Sequence, residues 1–402
     1  MGTAVSKPLS AIVVGGGIGG VAAAVALEKV GAKVTVLEQA SEISDVGAGV
    51  WITANGVKAL EFLGAHDYVR ETSNATQSQH YLGFDDGRRL IRTELGERGR
   101  RRYGAPSYLV HRADLLAALS DRLGNSPRVG SRVVSLEHTS SGATVTVESG
   151  ERFSADLVIG ADGLKSVVRQ ELFGIQVPHF SGQVAWRALV PFERIAGLGL
   201  EPDSQHCWFG DSRAVVAYPL RHDLIYNFVG FVPAHEVERE SWLRSGDVDE
   251  LRRSFSGACT QLNGIVNAID EAFITGLYFR EPLDKWTVKN VALLGDAAHP
   301  TLPTIGQGAT MALEDAVSVA QHVSQTGRQS VSGALEDYAS HRRDRTVDVL
   351  TTSRTNAEMM TLADPAAVAA RDQRFRAMEA SDPLGGELYG WLWSYDPVSQ
   401  AV

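Results

Sequence analysis

Along the chain, short β-branched runs alternate with longer amphipathic stretches, and glycine clusters sit at the changeovers. Ser10 to Val14 reads as a strand, Val21 to Leu27 as an alanine-rich helix and Lys33 to Leu37 as a second strand, which makes a βαβ unit at the start. Val57 to Leu63 and His111 to Leu123 predict further helices. Between them His80 to Arg92 alternates like a half-exposed strand, with Asp85, Asp86 and Gly87 as its turn. Arg132 to Glu148 reads as two strands around Ser140, Ser141 and Gly142, and Asp156 to Ile159 as a short apolar strand.

The texture changes between Gly182 and about Phe279. Val184 to Val190, Ala214 to Pro219 and Leu224 to Val232 alternate as strands, with Arg221, His222 and Asp223 turning between two of them. This predicts a separate, mainly antiparallel sheet. Val291 to Leu294 is again a fully apolar strand and leads through a glycine-rich turn into an apolar helix, Gln307 to Val323. Leu335 to Met360 is a charged helical stretch, and Leu388 to Tyr395 is unusually aromatic. A return to the first sheet after each excursion implies interleaved domains: one from 1–75, 105–180 and 285–360, a second from 76–104 and 181–284, and a C-terminal helical segment, 361–402.

Composition narrows the possibilities. With 402 residues, 44% hydrophobic and 21% charged, the chain is an ordinary globular one with ample material for a core. Its net charge of −10 argues against a partner bound through phosphate backbones, so no nucleic acid is expected. No apolar run reaches the ~18 residues of a membrane span, and no secretory stretch opens the chain, so the expected location is the cytoplasm with no membrane partner. Cys207 and Cys259 are far apart and form no CxxC pair, which indicates neither a disulfide framework nor a metal site. Glycine, at 40 residues, exceeds the usual ~7% and points to tight turns and close approaches of backbone to a ligand.

Gly15, Gly17 and Gly20 fit GxGxxG, a pattern with little meaning alone. Here it follows a strand, opens a helix, and precedes Glu38 at the end of the next strand, near the spacing expected of a dinucleotide site. Gly15 allows the turn, Gly17 leaves room for a pyrophosphate, Gly20 lets helix and strand approach, and Glu38 can take ribose hydroxyls. Two later strand-to-helix turns carry Gly160, Ala161, Asp162, Gly163, Ser166 and Arg169, and then Gly295, Asp296, His299 and Pro300 followed by Gly306, Gln307 and Gly308.

In these three clusters, their order and their spacing, the chain resembles the single-component FAD-dependent aromatic hydroxylases of the para-hydroxybenzoate hydroxylase type. The resemblance spans nearly the whole chain. It implies an α/β fold: a Rossmann-like FAD-binding domain, an interleaved mainly antiparallel substrate domain and C-terminal helices. It implies FAD bound by Gly15, Gly17, Gly20 and Glu38, by Asp162 and Gly163 with Arg169, by Asp296, by Arg112, and by the loop from Pro303 through Gly308. Ile18, Gly49, Val134, Gln307 and Ala309 complete the implied cofactor set. It also implies NADH or NADPH as transient co-substrate, dioxygen and a small electron-rich aromatic compound as partners, and a homodimer. Val46 to Gly49, Tyr218 to Leu220 and Trp391 to Trp393 are closest in flavour to the salicylate and 3-hydroxybenzoate hydroxylases.

Tyr218 and Pro303 are the expected catalytic positions: a strand phenol can orient a substrate hydroxyl, and the resemblance implies that the proline lines the flavin ring. Arg187 and Arg213, with Tyr218, are the expected substrate-binding residues, because a guanidinium can grip a carboxylate with two bonds. His206 and His222 are weaker candidates. Arg98, Arg100, Arg101 and Arg102 read as a solvated loop, and Trp391 and Trp393 as packing for a terminal helix or dimer face. The competing reading is an NAD(P)H reductase or dehydrogenase without oxygen insertion. That reading calls for a second nucleotide fingerprint and often a redox-active cysteine pair, and the sequence has neither.

Overall fold

A computed structural model describes residues 8–42, 48–139, 141–234, 244–325 and 330–400, with Arg244 described by its backbone alone. Val46, Gly47 and Ser140, which the sequence singled out, lie outside these residues. The first sheet is built as the βαβ pattern predicts. Its order is Thr287–Val288, Val291–Leu293, Leu157–Gly160, Ser10–Val14, Lys33–Leu37, and all pairs are parallel except the first. The inner strands are apolar throughout because helices cover them. The helix Ile18–Lys29 is buried from Val21 to Leu27, which its alanines permit: they let it lie between the sheet and the helix Gly308–Val323.

The second sheet has eight strands in the order Arg244–Gly246, Ala272–Phe279, His179–Pro191, Ile225–Pro233, Ala214–Leu220, Ser204–Phe209, Ser78–Gly83, Arg89–Glu94. Every pairing is antiparallel except Ser204–Phe209 against Ser78–Gly83, so the sheet is mainly antiparallel as expected. That pairing corrects the half-exposed reading of the segment at His80. Ser78 to Leu82 are all buried because both faces of the strand are covered, Leu82 packing in the cluster on one side of the sheet and Tyr81 in that on the other. One face packs on the helices Val248–Ser254 and Thr260–Asn267 through Trp186, Trp208, Phe228 and Phe255. Part of the other face packs on the C-terminal helices Val331–Met360 and Pro365–Ser381 through Phe209, Phe231, Met360 and Phe375.

The arginine-rich stretch is likewise not a loop. It forms the helix Glu97–Tyr103, where Arg101 pairs with Glu97 at 2.9 Å, the neighbour spacing of a helix surface, and Arg98 reaches back to Glu94 at the end of the preceding strand at 2.6 Å. Among the described residues no helix is long and apolar enough to cross a membrane.

Candidate active site

A cleft of about 990 Å³ opens between the glycine turns and the inner face of the eight-stranded sheet. At one end the chain builds it from backbone. Gly15 adopts φ +109°, and a Cβ there would stand 2.4 Å from the Ala161 carbonyl oxygen. A Cβ on Gly20 would stand 1.9 Å from the Gly15 carbonyl oxygen. Neither residue lines the cleft; together they set the shape of the turn. Gly17 does line it, and nothing lies within 4 Å of where its Cβ would be. Gly17 is also the N-cap of Ile18–Lys29, makes no side-chain capping bond, and is followed by Ile18 and Gly19 in the cleft wall. Glu38 is fixed beside this turn: its carboxylate accepts from the Gly16 N–H at 2.5 Å and the Ala40 N–H at 2.7 Å, next to Gln39 in the wall.

The second turn uses its aspartate differently from the expectation. Asp162 accepts from Ser166 Oγ at 2.5 Å and from the Val167 and Val168 N–H groups at 2.7 and 3.1 Å. Its carboxylate therefore caps the helix Val167–Phe173, and the cleft is lined instead by its neighbours Ala161, Gly163 and Leu164. Arg169 donates to the Ala297 and Ala298 carbonyls, both at 3.1 Å, and so ties this turn to the third.

In the third turn Asp296 faces the cleft. Its side chain is open to the cleft space, yet desolvation by the surrounding wall raises its pKa, against the pull of His299 and Arg112. The turn rests on a buried ion network. His299 Nε2 meets Asp315 at 2.5 Å, Asp315 accepts from Arg342 at 2.8 Å, and Glu314 is shared by Arg342 at 2.7 Å and Arg345 at 2.8 Å. Asp315 also accepts from the Gly295 N–H at 3.1 Å. Burial pushes the Asp315 carboxyl up, but His299 and Arg342 outweigh it and bring it down to about 2. Pro303, Gly306, Gly308 and Ala309 line the cleft beyond this point, with Gly306 at φ +64° against Trp51. Gln307 does not reach it: its amide is spent on Thr53 at 2.9 Å and Asn55 at 3.1 Å, fixing the loop from behind.

The sheet end is made of side chains. Tyr218 is buried in the wall, and burial raises its phenol well above the ordinary value, so at neutral pH it is a hydrogen-bond donor. Gly49 is required here: a Cβ would stand 2.5 Å from the Tyr218 ring, and its N–H donates to Asn227 Oδ1 at 2.9 Å. Arg187 projects from the strand His179–Pro191, separated from that of Tyr218 by Ile225–Pro233, with Nε 3.3 Å from Thr275 Oγ1. Burial holds its pKa below the ordinary value, with Arg112 adding to the effect and Tyr218 opposing it. Among the described residues no carboxylate lies within ion-pair distance of Arg187. Arg213 points elsewhere: it donates to the Ser254 and Ser256 carbonyls at 3.0 Å and covers the Phe84 ring at 4.3 Å, outside the cleft. Val134 is also outside, 45% exposed on the strand Val133–Thr139.

Several lining residues carry no sequence motif. Gln79, Tyr81, Gln205 and Cys207 reach the cleft from paired strands, and Asn356, Tyr389 and Trp393 from the C-terminal helices. Tyr389 donates to Asn356 Oδ1 at 3.1 Å and lies 3.3 Å from the Tyr81 hydroxyl, while Asn356 Nδ2 donates to the Thr304 carbonyl at 2.6 Å. Trp393 corrects the expectation of a purely packing role. It is 2% exposed and meets Trp51 edge-on at 5.7 Å in the cleft wall, while Trp391, two residues earlier on another face of the helix Gly386–Trp393, is 42% exposed. The aromatic density of this segment was the available signal. His206 and His222 stay away from the cleft. His206 is stacked on His80 at 5.1 Å on the far face of the sheet, and His222 Nε2 lies 2.9 Å from the Glu71 carbonyl.

These donors fit a dinucleotide cofactor. The cleft is at the upper end of the ~300–1,000 Å³ usual for ligand sites, it runs from an open Gly17 and an uncapped helix start to Arg112 and the Pro303 loop, and Gly17 is clear where a larger residue would project. Known proteins agree. The family described as FAD binding domain matches residues 9–353. The chain is 34% identical to 3-hydroxybenzoate 6-hydroxylase of Klebsiella oxytoca over 87% of this chain and 88% of that one. It is 32% identical to 6-hydroxynicotinate 3-monooxygenase of Pseudomonas fluorescens over 88% and 92%. Among solved structures, Klebsiella pneumoniae HpxO complexed with FAD and uric acid superposes with a TM-score of 0.86 at 30% identity, covering 96% of this chain and 97% of that one. A salicylate hydroxylase substrate complex gives 0.82 at 26% identity, covering 98% and 97%. The chain belongs to the FAD-binding-domain family and is a flavin-dependent monooxygenase of the aromatic hydroxylase type.

Proposed function

We propose that the protein hydroxylates a small aromatic acid, a hydroxybenzoate or a hydroxylated N-heterocyclic acid, at the expense of NAD(P)H and dioxygen. In balance, substrate, dioxygen, NAD(P)H and a proton give hydroxylated substrate, water and NAD(P)⁺; one oxygen atom enters a ring C–H bond and the other leaves as water. Bound FAD supplies the redox chemistry, taking hydride from the nicotinamide and activating oxygen. Gly17, Ile18 and the helix start would hold its pyrophosphate, Glu38 its adenosine ribose, and Arg112, Asp296 and the turn Pro303 to Ala309 its ring side.

The observation that carries the substrate reading is Arg187, a half-buried cation with no carboxylate partner among the described residues, set in the same wall as Tyr218. A partly desolvated guanidinium that faces no carboxylate gains from an anion that reaches it, so the site is ready for a substrate carboxylate. Tyr218, kept protonated by burial, donates to the ring hydroxyl or oxo group and fixes which ring carbon faces the cofactor. Trp51, Trp393 and the apolar side chains Val216, Val229 and Phe231 exclude water, which favours oxygen transfer over release of hydrogen peroxide. The test uses labelled dioxygen with a panel of hydroxybenzoates and hydroxypyridine acids. One labelled oxygen per product molecule is expected; product without label, or NAD(P)H oxidation that yields only hydrogen peroxide with every acid, overturns the proposal.

A further inference from the structure

We infer that the paired amides of Gln79 and Gln205 select a cyclic amide, an N-heteroaromatic ring in its oxo form with N–H beside C=O, over a benzenoid phenol. This rests on the proposed hydroxylation of an aromatic acid and names the ring within that class. The two glutamines stand opposite each other on the parallel strands Ser78–Gly83 and Ser204–Phe209, and both line the cleft. Gln79 Nε2 donates to Gln205 Oε1. The same oxygen accepts from Cys207 Sγ at 3.8 Å, and burial keeps that thiol protonated by raising its pKa.

Counting donors and acceptors then fixes what remains. Both lone pairs of Gln205 Oε1 are taken, so Gln205 turns its amide nitrogen, with two N–H donors, away from the pair. Gln79 has given one N–H, and its Oε1 is left as an acceptor. Neither Gln79 Oε1 nor Gln205 Nε2 has a partner among the described residues, and neither is among the polar atoms sealed from solvent without one. The wall thus offers an acceptor and a donor together. A lactam supplies the complementary N–H and C=O on neighbouring ring atoms. A phenol must meet both through one oxygen, donating to Gln79 Oε1 while accepting from Gln205 Nε2, whereas the lactam meets each with its own ring atom or oxygen; a carboxylate, with acceptors only, leaves the Gln79 oxygen unmatched. A site built to hydrogen-bond a group discriminates strongly against the analogue lacking it, because its own polar atoms stay unpaired.

The experiment titrates the FAD-loaded enzyme with three probes and follows the flavin absorbance: 6-hydroxynicotinate, which exists as a pyridone; its N-methyl derivative; and 4-hydroxybenzoate, its benzenoid counterpart. The pyridone should bind about tenfold more tightly than either of the others. Gln79→Leu and Gln205→Leu, checked for unchanged FAD content, should each remove that preference. Equal binding of the pyridone and its N-methyl derivative by the unaltered enzyme overturns the inference without any variant, as does a preference that survives both substitutions. If a benzenoid acid is still hydroxylated with labelled oxygen in those cases, only the amide assignment falls. If no acid binds and none is labelled, the reading of the cleft falls and this inference with it.

Discussion

The two ends of the cleft are made from different chemistry. At the nucleotide end the decisive features are backbone: Gly15 and Gly20 are packed against carbonyl oxygens, Gly17 is left open, and the helix start Ile18–Lys29 has no side-chain cap. At the sheet end they are side chains from positions far apart in the chain, Gln79, Arg187, Gln205, Tyr218 and Trp393. A backbone cradle tolerates almost no change at Gly15 and Gly20, where a Cβ meets main chain that cannot move aside. A side-chain wall can be altered one contact at a time, and each change affects one property of the ligand.

The largest effect expected from this contrast is at Gly20→Ala. The new Cβ would lie 1.9 Å from the Gly15 carbonyl, so the turn must deform. A loss of about 3 kcal/mol in stability is expected, with flavin lost during purification. Denaturant unfolding and the yellow absorbance of the purified protein check it; full flavin retention would show the turn to be far softer than its packing implies.

Next in size is the ion network beneath the nucleotide end. The Asp315 carboxyl is depressed to about 2 in the folded chain, against about 3.9 when unfolded. A depressed carboxylate stabilises fully above its unfolded value, and that contribution is lost as the pH falls through the folded one. It is on the order of 2 kcal/mol. Unfolding free energy should therefore fall between about pH 4 and pH 2, and more gently in Asp315→Asn. Identical acid limbs in the two proteins would remove Asp315 from the account.

At the sheet end Arg187→Gln should leave FAD content unchanged and raise the KM for an aromatic acid about 30-fold, the worth of a charge-assisted hydrogen bond. A neutral aromatic substrate should respond far less, and an equal response to both would detach Arg187 from the carboxylate. The smallest effect is expected at Arg213→Ala. Its guanidinium serves the Ser254 and Ser256 carbonyls and the Phe84 ring, so stability should fall by about 0.5 kcal/mol with KM unchanged. A rise in KM would return Arg213 to the substrate site.

The glycine turns, the βαβ start and the mainly antiparallel sheet could all be read from the residues alone. These follow from local rules: glycine where a Cβ cannot fit, β-branched runs where a strand is covered on both faces, alanine where a helix is pressed between layers. Tyr218, Arg187 and Pro303 were legible as wall residues, the first two from strands of clear alternation and Pro303 from the loop of the family the chain resembles. Asp162 and Gln307 carried the right motif, yet their side chains serve a helix cap and a buried amide network, a choice that depends on which N–H groups fold back upon them. No local pattern places Ser78–Gly83 inside the sheet, brings Gln79 to Gln205, or turns Trp393 into the cleft wall while Trp391 faces solvent. Those contacts join residues more than a hundred positions apart, and strand order and helix docking, which place them, come from burial summed over the whole chain rather than from any local run of residues.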